Sequence, residues 1–156
     1  MSTYTCGIHK SEWGNENQSR NTPRHWAADV RQCLFIRKPT GMSPIQRHGV
    51  TRRWSDAVVH NGVLHFVEIA DDPSADMLGQ VQQILAQIDS RLALVGSDRT
   101  RLLQVLIYVT DLANTPILNQ LWDEWVPDGH APARACVQVG LGTGYLIEMV
   151  ITAATG

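Results

Sequence analysis

Arg134 and Glu148 are the side chains whose types and positions most call for a chemical explanation. Both fall inside β-forming runs, Arg134 to Val139 and Tyr145 to Thr152, where a charge must be paired or must meet a ligand. The bland reading is a mutual ion pair. The segment Leu141-Gly142-Thr143-Gly144 between the runs reads as a hairpin turn, which makes the two strands antiparallel neighbours. The functional reading is a guanidinium fork that grips a carboxylate and a carboxylate that handles a proton or water. Cys136, two residues after Arg134, shares its strand face, and a neighbouring guanidinium lowers a thiol pKa. A small buried strand residue is the plainer account of it.

Other candidates carry less. His60 sits beside a turn, His65 within a strand and His130 in a loop, with no serine or cysteine placed as an obvious partner. A Ser-His-Asp hydrolase is therefore unsupported. The glycines of Gly140-Leu141-Gly142-Thr143-Gly144 suggest a phosphate cradle, but the loop leads to a strand rather than a helix, so a dinucleotide fingerprint fails. The three cysteines, at 6, 33 and 136, have no metal-clip spacing, and their odd number suits a reducing compartment. These features point to a cytoplasmic protein with no metal or organic cofactor.

The elements that must position these residues follow from periodicity. Trp54 to His60 and Val63 to Ala70 are β-rich runs separated by Asn61-Gly62, a strong tight-hairpin signal. Asp72-Pro73 then reads as an N-cap followed by a first-turn proline. Met77, Val81, Ile84, Leu85, Ile88, Leu92 and Val95 form one apolar helical face, ended by Gly96. Leu102 to Val109 is a nearly continuous apolar strand. Asn114-Thr115-Pro116 opens a second helix with inner face Leu118, Leu121, Trp122 and Trp125, and the two final strands follow. The order is ββαβαββ, an α+β arrangement with two helices covering one face of a sheet.

The chain has 156 residues, enough for one domain and an appendage, and 44% of them are hydrophobic, enough for a core. Residues 1–41 have no sustained period and read as a poorly ordered leader, with Met42 standing just before the patterned part as a candidate functional start. The leader carries a net charge of +3. Residues 42–156 carry seven arginines, no lysine and twelve carboxylates, a net −5. A basic stripe for phosphates is missing there, which argues against a nucleic-acid partner. No apolar run approaches the ~20 residues that span a bilayer.

Several separated blocks resemble the Rid (YjgF-like) family: Gly96-Ser97-Asp98, Ile107-Tyr108-Val109-Thr110-Asp111, Asn119, Ala131-Pro132-Ala133-Arg134-Ala135-Cys136-Val137, and Ile147-Glu148 to Ala154. Arg53-Trp54-Ser55-Asp56 and Trp122-Asp123-Glu124-Trp125 resemble its YoaB-like branch. The resemblance covers about residues 47–154 and implies a chorismate-mutase-like fold with a six-stranded sheet, in homotrimers with small-molecule sites between subunits. It further implies hydrolysis of reactive enamines and imines, such as 2-aminoacrylate, to 2-keto acids and ammonia. By this resemblance Arg134 binds the substrate carboxylate, Glu148 positions or activates water, and Asn119 and the backbone around Cys136 line the cleft. Trp54 stands where the family's aromatic lid residue is usually tyrosine, and Val67-Glu68 where its deaminases typically have Ser-Gly. A glutamate near a carboxylate pocket repels an anionic substrate unless it turns away or meets Arg134. The rival implication is a non-catalytic member that binds a metabolite or a protein partner. A ribonuclease or translation-inhibitor role, which some relatives carry, is disfavoured by the −5 core.

Overall fold

A computed structural model of the protein describes residues 44–156; the expected leader, 1–41, lies outside the described residues. The chain runs through β1 (Gln46–His48), β2 (Ala57–His60), β3 (Val63–Ile69), α1 (Met77–Leu94), β4 (Leu102–Val109), α2 (Thr115–Trp125), β5 (Ala133–Gln138) and β6 (Ile147–Ala154). The strands form one six-stranded sheet in the order β1-β2-β3-β6-β4-β5. Only the β4–β5 pairing is parallel. Periodicity marks five of these strands. The sixth, β1, is an exposed three-residue edge strand too short to carry an alternation of its own.

Strict alternation sorts the sheet into two faces. Leu64 and Phe66 on β3, Val105, Ile107 and Val109 on β4, and Ile147, Met149, Ile151 and Ala153 on β6 are buried under the helices. Met77, Val81, Ile84, Leu85, Ile88 and Leu92 of α1 and Leu118, Trp122 and Trp125 of α2 complete that core. The opposite face carries His65, Val67, Ile69, Leu106, Tyr108, Glu148, Val150 and Thr152, none of them buried. The Asn61-Gly62 hairpin forms as its sequence requires, with φ of 49° and 78° at the two turn residues.

Three local expectations are corrected. The N-cap of α1 is Asp76, whose Oδ1 accepts from the Gly79 backbone N–H at 2.8 Å. Asp72 instead closes a turn, accepting from the backbone N–H and the hydroxyl of Ser74. Strand β2 begins at Ala57 rather than Trp54, because Thr51 holds Trp54 in a loop: the Thr51 N–H donates to the Trp54 carbonyl at 2.8 Å, and the Trp54 N–H to Thr51 Oγ1 at 3.1 Å. Finally, β5 and β6 are not a hairpin. The glycine-bearing connection carries the chain across the end of β4, so that β6 inserts between β3 and β4 and β5 lies at the sheet edge.

The residue that fixes this crossing is Gln80, fully buried in α1. Its Nε2 donates to the carbonyls of Ala75 (3.0 Å) and Gly144 (2.9 Å), and its Oε1 accepts from the Leu146 N–H (2.9 Å). Gly144 has φ +87°, and a Cβ there would lie 2.9 Å from the Pro73 carbonyl oxygen, so only glycine fits this approach. A second junction holds the helices together. Arg99 grips Asp89 through Nε (2.7 Å) and Nη2 (2.6 Å), and the Trp125 indole N–H donates to the same carboxylate at 3.1 Å.

Candidate functional site

The rearranged strand order separates Arg134 from Glu148. Arg134 on β5 is register-paired with Val105 on β4 and so points to the helix layer. There its Nη1 donates to Asn119 Oδ1 at 2.9 Å, and its guanidinium lies 4.7 Å from the centroid of the Trp122 ring. Residues 115–125 are helical, so Asn119 and Trp122, three apart, share the face of α2 that braces the arginine. Cys136 follows on the same side of β5, opposite Ile107, and packs against the core. Glu148 on β6 is paired with Ile69 and Tyr108 and points to the opposite, uncovered face. Within one chain the two side chains form no ion pair, since β4 and the plane of the sheet lie between them.

Glu148 lines a cleft of about 490 Å³ together with Trp54, Asp56, Val67, Glu68, Ile69, Asp71, Gln87 and Arg91. The cleft forms because β2 pairs with β3 only as far as Phe66, leaving Val67–Ile69 as a bare edge beside the loop that carries Trp54. Trp54 is 61% exposed and forms an aromatic wall.

Glu68 neither meets Arg134 nor turns to solvent. Alternation along β3 directs it under the helices, where it is 6% exposed and its Oε1 accepts from Arg91 Nε at 2.9 Å. Arg91 and Gln87, one helical turn apart on α1, and Asp71, just after β3, are cleft residues that sequence reasoning missed. The available signal was Arg91 at the border of an otherwise apolar helical face, opposite a glutamate in strand register.

The site candidates thus fall into two groups on one chain. Arg134, Asn119 and Cys136 sit together on the β5–α2 side, and Trp54, Glu68 and Glu148 sit together in the cleft. Among the described residues no three His, Cys, Asp or Glu side chains come together as a metal site.

Comparison with known proteins assigns the family. A family model described as Endoribonuclease L-PSP matches residues 45–155, essentially the whole described domain. The chain belongs to this family. It is 39% identical over 111 residues to the RutC family protein YoaB of Escherichia coli K12, covering 70% of this chain and 97% of the relative. It is 38% identical over 112 residues to a RutC family protein of Haemophilus ducreyi, covering 70% and 96%. Among solved structures, an uncharacterized protein from Pseudomonas aeruginosa matches with TM-score 0.70 and 38% identity over 72% of this chain and all of the other. A YjgF family member from Neisseria meningitidis matches with TM-score 0.70 and 35% identity, covering 74% and 98%. The chain is thus a YoaB-like member of the Rid/YjgF/L-PSP family, and its six-stranded sheet with two helices is that family's fold. No helix among the described residues is long and apolar enough to cross a membrane.

Proposed function

We propose that this L-PSP family member is an enamine/imine deaminase that converts 2-imino acids to 2-keto acids and ammonia in the cytoplasm. The observation that carries the reading is Glu148, a half-buried carboxylate with no ion pair among the described residues, facing a cleft walled by Trp54. A carboxylate in this setting can take a proton from water and return it to nitrogen. The substrate carboxylate needs a planar two-donor clamp, and Arg134, oriented by Asn119 and Trp122, is built for that purpose. Because Arg134 and Glu148 face opposite sides of one sheet, a complete site takes Arg134 from one copy and Glu148 from another. A closed ring of copies, the homotrimer of the sequence expectation, generates one such site at each junction.

The chemistry balances without a further reactant. Protonation of the enamine carbon gives the iminium. Glu148 then accepts a proton from water as its oxygen adds to the iminium carbon, giving a carbinolamine. Transfer of that proton to nitrogen lets ammonia leave as the carbonyl forms, and the proton shed by the carbinolamine hydroxyl balances the one that solvent gave to the enamine carbon. Arg134 holds the acid group throughout, so that the electrophilic carbon stays in reach of the water. The test is ammonia and 2-keto acid release from an imine generated in situ by an amino-acid oxidase. Release faster than spontaneous hydrolysis, lost in Glu148→Gln, supports the reading, and release equal to the spontaneous rate overturns it.

One observation favours a second reading, a non-catalytic metabolite-binding protein. The Glu68–Arg91 pair stands at the strand position where the family's deaminases typically carry Ser-Gly, so a charged pair lies at a place of close backbone approach. Tight 2-keto acid binding with no acceleration of imine hydrolysis would decide for it.

A further inference from the structure

We propose that Asp89 and Arg99 are positioning residues for Arg134, acting through the paired rings of Trp125 and Trp122; this deepens the deaminase reading and rests on it. Arg134 stands near the start of β5, an edge strand that pairs with β4 alone among the described residues. The sheet therefore backs it on one side only, and α2 supplies Asn119, at 2.9 Å, and the Trp122 ring, whose centroid is 4.7 Å away. A flat ring braces a flat guanidinium only while its own tilt is fixed. Trp125 follows three residues along α2, and the two ring centroids lie 5.6 Å apart at an angle of 48°, a favourable tilted contact. Both rings are buried.

Trp125 is fixed in turn by groups on α1 and just beyond it. Its indole N–H donates to Asp89 Oδ2 at 3.1 Å. Arg99 lies over the same ring, 5.0 Å from its centroid, and grips Asp89 through Nε and Nη2. Arg99 Nη1 also donates to the Trp125 carbonyl at 3.0 Å. One carboxylate and one guanidinium thus hold Trp125 at its ring edge, its ring face and its backbone. Trp125 ends α2, so the same contacts fix the end of the helix that carries Asn119 and Trp122. Apolar burial alone would accept a flipped indole, whereas the N–H meets Asp89 in one orientation only. The charged junction therefore adds orientation to the packing. It gives a use to the Trp122-Asp123-Glu124-Trp125 stretch, which the deaminase chemistry otherwise leaves unexplained.

Two readouts on the full-length protein test this. One is the Arg134 Nε–Hε resonance in nitrogen–proton NMR spectra, assigned by its loss in Arg134→Ala. Arg134 Nε is buried, which slows exchange of its proton with water. In the parent protein the resonance should be displaced by the ring current of Trp122. Asp89→Ala should remove most of that displacement, and Trp125→Phe, which keeps a ring and deletes the N–H donor, should remove part of it. Gln80→Ala weakens the fold without touching these contacts and should leave the resonance in place. The other readout is turnover of an imine generated in situ. A ~1 Å misplacement of a positioning group costs about a hundredfold. Asp89 acts through two rings, so Asp89→Ala should lower kcat/KM about tenfold and Trp125→Phe about threefold, chiefly by raising KM. A resonance unmoved in Asp89→Ala, or moved as far in Gln80→Ala, overturns the proposal. So does a moved resonance with parental kcat/KM in an active enzyme. A parent protein that hydrolyses no imine refutes the deaminase reading, and the resonance then decides whether Asp89 and Arg99 position Arg134.

Discussion

Removing Arg91 strands a buried carboxylate, and the cost can be estimated from the structure. Glu68 is 6% exposed beneath the helices, and the Arg91 Nε contact at 2.9 Å is its only ion pair among the described residues. Breaking a fully buried pair costs ~3–5 kcal/mol, because the remaining charge keeps its desolvation penalty. The Arg91 side chain is 25% exposed, so water screens part of the interaction, and about 2–3 kcal/mol is the reasonable figure for Arg91→Met. Methionine keeps most of the aliphatic stem, which limits the change to the charge and its hydrogen bonds. For a domain of this size the loss corresponds to roughly 10 °C in Tm at a fixed subunit concentration. The double variant Glu68→Leu/Arg91→Met removes both charges and should recover to within about 1 kcal/mol of the parent. Denaturant unfolding of the four proteins forms a double-mutant cycle. A loss below about 0.5 kcal/mol in Arg91→Met, within the range of ordinary surface changes, would refute the view that Arg91 compensates Glu68. So would a double variant no more stable than the single one.

Further outcomes follow from other contacts. Arg134→Lys keeps the charge but loses the planar fork and the stacking on Trp122, so its kcat/KM for imine hydrolysis should fall nearly as far as that of Arg134→Ala. Wild-type turnover in the lysine variant would remove carboxylate clamping as its role. Gln80→Ala strands the Ala75 and Gly144 carbonyls and the Leu146 N–H, and should cost about 2–4 kcal/mol in denaturant unfolding. Hydrogen bonds from the side chain and backbone of Thr100 hold the Asp98 carboxyl below its ordinary value of 3.8. The stability it adds is present in full above 3.8 and is lost as pH falls through the lower folded value. Asp98→Asn should therefore flatten the acid limb of a stability-versus-pH curve in that window and nowhere else.

Much of the fold was legible because its signals are local. The hairpin at Asn61-Gly62, the apolar face of α1, the continuous strand at Leu102 to Val109 and the inner face of α2 each depend on neighbours within one or two turns of chain. What was not legible depends on distant partners. The insertion of β6 between β3 and β4 is sealed by Gln80, some 64 residues from Gly144, and nothing in the loop's own composition separates a crossing from a hairpin. The same difficulty affected the site. Arg134 and Glu148 stand out as charges within β-forming runs, but placing them side by side followed from the mistaken hairpin. Glu68 stood out as a departure from the family pattern, whereas its partner Arg91 lay 23 residues away on a helix read only for its apolar face.

The most direct test of a site shared between copies mixes two variants that are inactive alone. In the proposed homotrimer, Arg134→Ala and Glu148→Gln should each damage every site. When the two are unfolded together and refolded in equal amounts, about a quarter of the junctions should pair an intact Arg134 with an intact Glu148 from the neighbouring copy. Imine hydrolysis should then return to roughly one quarter of the parent rate, followed as ammonia and 2-keto acid release. A mixture as inactive as its components would contradict the shared site and place both groups' function within a single chain.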